Sequence, residues 1–418
     1  MVVAQLLLAA ALAPAAALAG PFKLRDVNSY DGKATPYERK VNSYEGKVTA
    51  YEGKVASYEG NPLADRQLFI NPTYVDEIKT LAIPQLTGEL AEKAAKVAEV
   101  PTFSWLDTRE NISLMNSTLA QIRKLNQEGA NPPYAGTYVI YNFPDRDCSA
   151  KASAGELLIA DGGVEKYKKE YIDPIAALAK EYSDVRQVFV YEPDGLANLI
   201  TNMAVPKCAG AADAYKEGTE YALKTLNLEN VAIYVDVGHA GWLGWEDSLA
   251  PTAELYAELY KKAGSPKSVR GTCSNVSNFN GWNLTTAPPY TAPSENWDES
   301  KFHAALAPHL REAGFPAHFI VDQGRSGKQP TGRETWGDWC NIKDTGFGPR
   351  PTVQTGVETL DAVVWVKPGG QADGTSDTTA VRYDEKCSSN SSVVPAPEAG
   401  SWFQEYFVQL LENANPPF

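Results

Sequence analysis

Residues 187–191 read QVFVY, a run of β-branched and aromatic side chains that is followed at once by Glu192-Pro193-Asp194-Gly195. A short apolar run bounded by proline and glycine predicts a buried strand. Six similar runs occur at Thr102–Leu106, Thr137–Tyr141, Val231–Val235, Val269–Cys273, His318–Val321 and Ala362–Val366. Helical patterns alternate with them, for example at Val75–Val100, Leu114–Glu128 and Val164–Tyr182. This alternation predicts an α/β fold in which seven parallel strands form a closed or nearly closed barrel.

The composition is that of an ordinary globular protein. The chain has 418 residues, of which 43% are hydrophobic and 22% charged, and its formal net charge is −14. A single barrel of this length is common. The acidic balance argues against a nucleic acid or an anionic membrane as the partner, and it suits a protein that acts on a neutral substrate. We expect a monomer.

The N-terminal residues 1–19 are predicted to be a secretory signal peptide. Their apolar run ends in Ala17-Leu18-Ala19 before Gly20, the small-x-small pattern that signal peptidase requires. A membrane anchor is the alternative, but the run is short for a membrane span. The sequence therefore predicts an extracellular protein. Five glycosylation sequons fit this location: Asn111, Asn116, Asn275, Asn283 and Asn390.

Residues 20–57 are interpreted as a repeat-bearing spacer, followed by one domain over residues 58–418. Tyrosine recurs every seven residues, at positions 30, 37, 44, 51 and 58. This spacing would suit a coiled coil. Glycines at 46, 53 and 60 recur within the units, however, and each costs about 1 kcal/mol in a helix interior. A spacer or a weak surface-binding arm is favoured over a stable coil.

Five cysteines outside the cell predict two disulfides and one free thiol. The chain has four histidines and no Cys-x-x-Cys pair, so no structural zinc site is indicated. We expect no metal and no cofactor.

Aspartates follow the predicted strands. They are Asp107, Asp145, Asp147, Asp194, Asp236 and Asp322, with Asp373 a few residues beyond the last strand. In a parallel barrel the carboxyl ends of the strands meet at one mouth, where active sites lie. Aspartate is also common after strands as a turn former or helix cap, which could account for two or three of these residues. The whole set favours an acidic cleft.

Crowded carboxylates raise one another's pKa, so that one acid stays protonated beside an ionised one. A protonated acid beside an ionised carboxylate is the pair of groups that glycoside hydrolases use to cleave a glycosidic bond. The tryptophans Trp105, Trp242, Trp245 and Trp339 lie in or beside the same loops, and flat indole rings stack on sugar faces. Trp365 lies within its predicted strand and is expected to be core. The pattern points to a glycoside hydrolase that acts on a polysaccharide.

Several motifs resemble those of fungal cellobiohydrolases of glycoside hydrolase family six, in order, from about residue 58 to the C-terminus. These motifs are Thr102–Thr108 (TFSWLDT), Tyr141–Cys148 (YNFPDRDC), Glu192–Asn198 (EPDGLAN), Asp236–Trp245 (DVGHAGWLGW), Asp322–Pro330 (DQGRSGKQP) and Trp336–Cys340 (WGDWC). The resemblance implies a distorted seven-stranded parallel β/α barrel whose active site lies in a loop-roofed tunnel at the C-terminal strand ends. It also implies cleavage of β-1,4-glucan with inversion.

The resemblance assigns roles to individual residues. Asp194 would be the general acid, and Asp147 would raise its pKa and stabilise positive charge in the sugar ring. Tyr141 would distort that ring, and Ser153 would hold a water chain together with Asp147. Asp373 matches the residue that is sometimes proposed as the base. The substrate-binding positions would be Trp105, Asp107, Asp236, His239, Trp242, Trp245, Asn278, Trp339, Lys367 and Gln371.

The resemblance also pairs Cys148 with Cys208 and Cys340 with Cys387, leaving Cys273 free. These bridges would close the two loops that roof the tunnel, which favours release of cellobiose from non-reducing chain ends. An endo-acting glucanase with mobile loops and a non-catalytic cellulose-binding protein are the alternatives. Gln371 departs from the family's usual glutamate, a change expected to affect the pH profile or product-side binding. No cellulose-binding module precedes the domain, so soluble or amorphous glucan is the expected substrate.

Overall fold

The computed structural model describes residues 60–418. The predicted signal peptide (1–19) and the tyrosine-repeat spacer (20–57) lie outside the described residues and stay predictions. No helix among the described residues is long and apolar enough to cross a bilayer.

The described residues contain one largely parallel sheet. Its strands are β1 (Gln67–Leu68), β2 (Ser104–Leu106), β3 (Tyr134–Ile140), β4 (Gln187–Tyr191), β5 (Val231–Asp236), β6 (Val269–Ser274), β7 (His318–Asp322) and β8 (Leu360–Val364). Strands β2 to β8 pair in chain order, each parallel to the next. The seven predicted strands are confirmed to within a few residues. The short β1 was not predicted; it pairs with the start of β3, beside β2.

The sheet curls until its two edges approach each other. The backbone N–H of Phe103, just before β2, donates to the carbonyl of Trp365, just after β8, over 3.1 Å. The indole N–H of Trp105 donates to the carbonyl of Val366 over 3.0 Å. These contacts join the edges without a further strand ladder between β2 and β8 in the described part of the chain. The barrel is therefore incomplete, as the nearly closed alternative predicted.

Helices cover the outside of the sheet. The α-helices are Pro72–Glu77, Gly88–Val97, Ile112–Gln127, Gly163–Lys166, Asp173–Glu181, Gly195–Thr201, Pro206–Thr225, Ala240–Leu243, Glu246–Lys262, Glu299–Ala313 and Gln404–Glu412. The helix predicted at Leu114–Glu128 is confirmed and begins slightly earlier, at Ile112.

Two helices predicted as continuous are interrupted. The stretch Val75–Val100 contains a π-helical turn, a 3₁₀ turn that includes Pro84, and a break before Gly88. Val164–Tyr182 contains a π-helical segment just before Pro174. Because proline lacks the N–H that would continue the α-helical hydrogen bonds, the chain adopts 3₁₀ or π-helical turns near these prolines. Apolar periodicity does not register such local changes.

The alternation of side chains along the strands builds two apolar layers. On β4, Val188 and Val190 point into the barrel, where they pack with inner residues of the neighbouring strands. Phe189 and Tyr191 point outward into the larger core beneath the helices. Because both faces are covered, the strands are mostly apolar, and many of the acidic side chains near the cavity lie at or just after the carboxyl ends of the strands. The polar site is thereby placed at the carboxyl ends.

Both predicted disulfides are present, Cys148–Cys208 and Cys340–Cys387, and Cys273 is a free, buried thiol. The first bridge joins the loop after β3 to the helix Pro206–Thr225. The second joins the loop after β7 to the loop after β8. Of the five sequons, Asn275 is fully buried and its amide donates to the carbonyls of Asn280 and Asp322. It is therefore inaccessible to glycosylation in the folded protein.

Candidate active site

The turn after β4 presents Asp194 to the cleft. Glu192 and Asp194 both have positive φ, 47° and 65°, so the chain makes a tight left-handed turn before the helix Gly195–Thr201. At Gly195 a Cβ atom would lie 2.7 Å from the ring of Phe143, so only glycine fits there. The N–H of Asp194 donates to the Asp236 carboxylate over 2.9 Å, which holds the turn in place.

The environment of Asp194 favours its protonated form. Burial, reinforced by the negative charge of Asp147, raises the pKa of Asp194 to about 7. Burial also raises the pKa of Asp147, but the backbone N–H and hydroxyl of Ser153 oppose this by donating to Asp147 Oδ2 over 2.7 and 3.2 Å. One carboxyl is thus stabilised as an acid, while its neighbour receives hydrogen bonds suited to a carboxylate.

Tyr141 extends this hydrogen-bonded chain. Its hydroxyl donates to Ser153 Oγ over 3.2 Å, which links Tyr141 through Ser153 to Asp147. Its ring meets Trp105 edge-on with 5.4 Å between the ring centroids. The guanidinium carbon of Arg146 lies 4.3 Å from the Tyr141 ring centroid on one face. Burial, followed by the charge of Asp147, raises the pKa of Tyr141 well above its usual value, so the phenol stays neutral.

These residues line a cavity of about 650 Å³ at the carboxyl ends of the strands. The wall contains most of the residues that the sequence predicted: Trp105, Asp107, Tyr141, Asp147, Ser153, Asp194, His239, Trp242, Trp245, Asn278, Trp339, Lys367, Gln371 and Asp373. The loops after β3, β7 and β8 all contribute to this wall. The structure therefore gathers predicted residues as distant in sequence as Trp105 and Asp373.

Three predicted cleft aspartates do not line the cavity: Asp145, Asp236 and Asp322. Asp145 is half-buried outside the cavity wall, and the other two lie beneath it. Asp236 is 2% exposed, and its Oδ2 accepts the N–H groups of Asp194 and Gly238. Asp322 is equally buried, and its carboxylate accepts the N–H groups of Ser277, Gly324 and Lys367. Both carboxylates hold loop backbones in place, as turn-forming aspartates do. The prediction that Asp145, Asp236 and Asp322 line an acidic cleft was wrong, and Asp236 is not one of the residues of the cavity wall.

Asp373 is held by an ion pair. Arg325 Nη1 lies 2.8 and 2.9 Å from its two carboxylate oxygens, and the Asn341 N–H donates to Oδ2 over 2.8 Å. The two charged side chains are only 1% and 6% exposed, for Arg325 and Asp373 respectively. These contacts stabilise the ionised form of Asp373, and they leave one of the roughly four acceptor sites of the carboxylate without a donor from the described residues.

Gln371 reaches away from Asp373 to an acid near the N-terminal end of the described chain. Its Nε2 donates to Glu77 Oε2 over 2.9 Å. Burial raises the pKa of Glu77 to about 7, against the hydrogen bond from Gln371 and the nearby charge of Lys367. Burial in turn lowers the pKa of Lys367. Gln371 and Lys367, which both line the cavity, therefore form a polar cluster with Glu77.

The indole N–H groups of three cavity tryptophans are satisfied within the protein. Trp105 donates to Val366, Trp242 donates to Thr201 Oγ1 over 2.6 Å, and Trp245 donates to the carbonyl of Gly241 over 3.0 Å. Trp245 is 38% exposed and lies at the rim of the cavity. By contrast, Trp365 is fully buried, as expected for a core residue.

Sequence reasoning missed three residues of the site. Arg146 donates to the carbonyls of Ser153 and Asp107 over 2.9 and 2.6 Å, which ties the loop after β3 to β2. Arg325 pairs with Asp373, and Trp336 lines the cavity beside Trp245. All three lie inside the family-like motifs, but Asp107, Asp373 and Trp245, which they contact, lie in other segments of the chain. Residues 60–418 contain no group of three or more His, Cys, Asp or Glu residues arranged to hold a metal ion.

Comparison with known proteins fits this geometry. The family model "Glycosyl hydrolases family 6" matches residues 63–414. A 1,4-β-D-glucan cellobiohydrolase of Podospora anserina, CEL6A, is 60% identical over 359 residues, covering 86% of this chain and 74% of that protein. The cellobiohydrolase Cel6A catalytic core of Chaetomium thermophilum is 58% identical with a TM-score of 0.85, covering 86% of this chain and all of that one.

A solved structure of cellobiohydrolase II (Cel6A) from Humicola insolens, in complex with glucose and cellotetraose, is 56% identical. Its TM-score is 0.85, and the match covers 86% of this chain and all of that one. The match of the family model over most of the chain and these identities lead to one conclusion: this chain belongs to the glycosyl hydrolases of family 6.

Proposed function

We propose that this chain hydrolyses β-1,4-glucosidic bonds of cellulose with inversion and releases cellobiose from non-reducing chain ends. The observation that carries the proposal is the placement of Asp194, whose raised pKa of about 7 keeps it able to donate a proton, in a cavity lined by tryptophans. The relatives named cellobiohydrolases support the same activity.

In the proposed reaction Asp194 protonates the glycosidic oxygen as the bond to the leaving sugar breaks. The Asp147 carboxylate stabilises the positive charge that develops on the sugar ring. Tyr141 contacts this ring and favours its distortion. Asp147 and Ser153, which are already hydrogen-bonded, orient the attacking water. Asp373, which is ion-paired with Arg325, is the candidate to receive the proton of the attacking water.

The substrate chain is proposed to lie along the tryptophans. Trp105 and Trp339 hold sugars on the non-reducing side of the cleaved bond, together with Asp107, Lys367 and Gln371. The leaving-side sugars stack on Trp242 and Trp245 and reach His239 and Asn278. Neutral sugars stack on indole faces without a counter-charge, in line with the net charge of −14.

Exo action is favoured over endo action because the disulfide-bonded loops contribute to the cavity wall. Ser149 and Ser153 follow β3, Trp339 follows β7, and Arg382 follows β8. A chain end can be threaded between such loops more easily than the middle of a polymer. The two disulfides also suit an extracellular location, and we propose that the protein acts outside the cell as a monomer on cellulose or soluble glucan.

The deciding experiment measures products and viscosity with amorphous cellulose. Cellobiose with slow viscosity loss supports the exo-acting enzyme. Mixed oligosaccharides with rapid viscosity loss would instead establish the endo-acting alternative, and binding without sugar release would establish the non-catalytic one. Proton NMR of cellotetraose hydrolysis tests the mechanism: the first-formed reducing end must be the α-anomer, and a β-anomer would refute inversion.

A further inference from the structure

The side chain of Asn280 is a hydrogen-bonding centre beneath the leaving-side wall. Its Oδ1 accepts Nη1 of Arg333 over 2.8 Å and the indole N–H of Trp336 over 3.1 Å. Its Nδ2 donates to Glu299 Oε1 over 2.9 Å and lies 3.3 Å from Nδ1 of His239. Arginine and tryptophan side chains can only donate hydrogen bonds, so the atom of the Asn280 amide that faces them must be the oxygen.

This orientation determines which nitrogen of His239 carries the proton. His239 Nδ1 faces two donors, the Asn280 amide and the Gly241 N–H over 3.1 Å, so it must accept. A neutral imidazole then carries its hydrogen on Nε2. Burial, followed by the charge of Arg333, lowers the pKa of His239 to about 3, which keeps the ring neutral. Since His239 lines the cavity, its Nε2–H can donate a hydrogen bond to a bound molecule.

Arg333 orients a second amide as well. It donates through Nη2 to Oδ1 of Asn278, which also accepts the N–H of Phe279 over 2.8 Å. The Asn278 oxygen is thus occupied, which leaves the Nδ2 group to face the cavity that Asn278 lines. Arg333 is 6% exposed and does not itself line the cavity. Its hydrogen bonds reach the site through the two asparagines, and its charge adds to the lowering of the pKa of His239.

We propose that Arg333 and Asn280 are positioning residues that make His239 Nε2 and Asn278 Nδ2 obligatory hydrogen-bond donors to sugar oxygens on the leaving side. This inference rests on the proposed function of the cavity. A guanidinium is required because its planar fork reaches both amide oxygens at once, and a lysine ammonium cannot do so at the same distances. Arg333 belongs to the loop after β7. The two cavity side chains are therefore oriented as donors only when that loop packs against Asn278 and Asn280.

The first test measures two substrates. Cellotetraose has a sugar as its leaving group, whereas an aryl β-cellobioside leaves without hydroxyls for His239 and Asn278 to contact. Arg333→Lys is expected to lower kcat/KM for cellotetraose by about tenfold for each misplaced hydrogen bond, and to lower that for the aryl substrate much less. Equal losses with both substrates, or no loss with either, would overturn the inference. Failure of the unmodified enzyme on both substrates would instead refute the proposed function.

The second test observes the tautomer directly and needs no activity. The chain has four histidines, so two-bond ¹H–¹⁵N spectra are simple, and His239→Gln identifies the signal of His239. The expected state is Nε2–H. In Asn280→Asp a carboxylate oxygen faces Nδ1, and the proton should move to Nδ1 or the ring should become charged. The exposed Asn283→Asp, in protein made without glycans, is the matched control and should keep Nε2–H. An Nδ1–H ring in the unmodified protein, or an unchanged ring in Asn280→Asp, would contradict the inference.

Discussion

The backbone N–H of Asp194 donates a 2.9 Å hydrogen bond to the carboxylate of Asp236, an aspartate that ends the neighbouring strand β5. The same Asp236 oxygen accepts the N–H of Gly238 over 3.0 Å. One carboxylate thus joins the turn after β4 to the turn after β5. It holds Asp194 in a backbone conformation with φ of 65°, which is uncommon for a residue other than glycine. The acid of the proposed reaction is positioned by a second acid that never reaches the cavity.

Replacement of Asp194 should separate catalysis from binding. Asp194→Ala removes the only proposed proton donor, and general acid catalysis is worth about 10²–10⁴-fold, so hydrolysis of cellotetraose should fall by at least that range. Calorimetric binding of the oligosaccharide should persist because the tryptophans remain. Asp161→Ala, at an exposed position, is the control. Near-normal turnover in Asp194→Ala would end the assignment.

Replacement of Asp147 should move the pH profile. In the unmodified enzyme the pKa of Asp194 is about 7, so kcat/KM should decline as the pH rises through 7 and the acid loses its proton. Asp147→Asn removes the smaller of the two causes of this raised pKa, while burial remains. The alkaline limb should therefore shift to lower pH, independently of the expected loss in rate. An alkaline decline of kcat/KM that stays at the same pH, or moves to higher pH, would show that the charge of Asp147 does not raise the pKa of Asp194.

Gln371→Glu should introduce a pH-dependent loss of stability. Glu77 has a pKa of about 7 in the folded chain, above the ordinary 4.5, so the folded state already prefers the protonated form between these pH values. A second carboxyl at residue 371 would share one proton with Glu77. The free energy of unfolding should then fall as the pH rises through 7 and beyond, by about 1–3 kcal/mol for an unsatisfied buried group.

Thermal unfolding measured between pH 5 and pH 9 tests this prediction. The loss in melting temperature should be small at pH 5 and should grow with pH. The double variant Gln371→Glu with Glu77→Gln restores an amide–carboxyl pair and should regain most of the stability. A loss that is the same at every pH would point to altered packing instead.

Removal of the second disulfide should shift the enzyme towards endo action. Cys340 and Cys387 are 47 residues apart, and a bridge over such a loop stabilises a folded chain by up to about 4 kcal/mol in the chain-entropy model. The double variant Cys340→Ser with Cys387→Ser should lower the melting temperature and loosen the loops after β7 and β8. More viscosity loss for each reducing end released is the expected result. An unchanged ratio at a temperature where the variant is folded would show that the bridge does not govern threading.

The strands could be predicted from the sequence because their signal is local. Runs such as QVFVY at 187–191 are apolar on both faces, which is what burial between a barrel interior and a helical layer demands. The motifs around Asp147, Asp194 and Trp242 marked the site for the same reason, since each is contiguous. The interruptions near Pro84 and Pro174 were missed because apolar periodicity continues through them.

The sequence by itself determined the order of the strands along the chain, the family and most of the residues that meet at the cavity. Only the tertiary structure decided which aspartates face that cavity. Asp194 follows β4 and Asp236 ends β5, yet Asp194 lines the wall, whereas Asp236 lies beneath it and its Oδ2 accepts backbone N–H groups from two turns. The amide of Asn280 likewise takes its orientation from Arg333, 53 residues away. Burial and hydrogen-bond partners are properties of chain segments brought together by folding, and they set the protonation states on which the proposed chemistry depends.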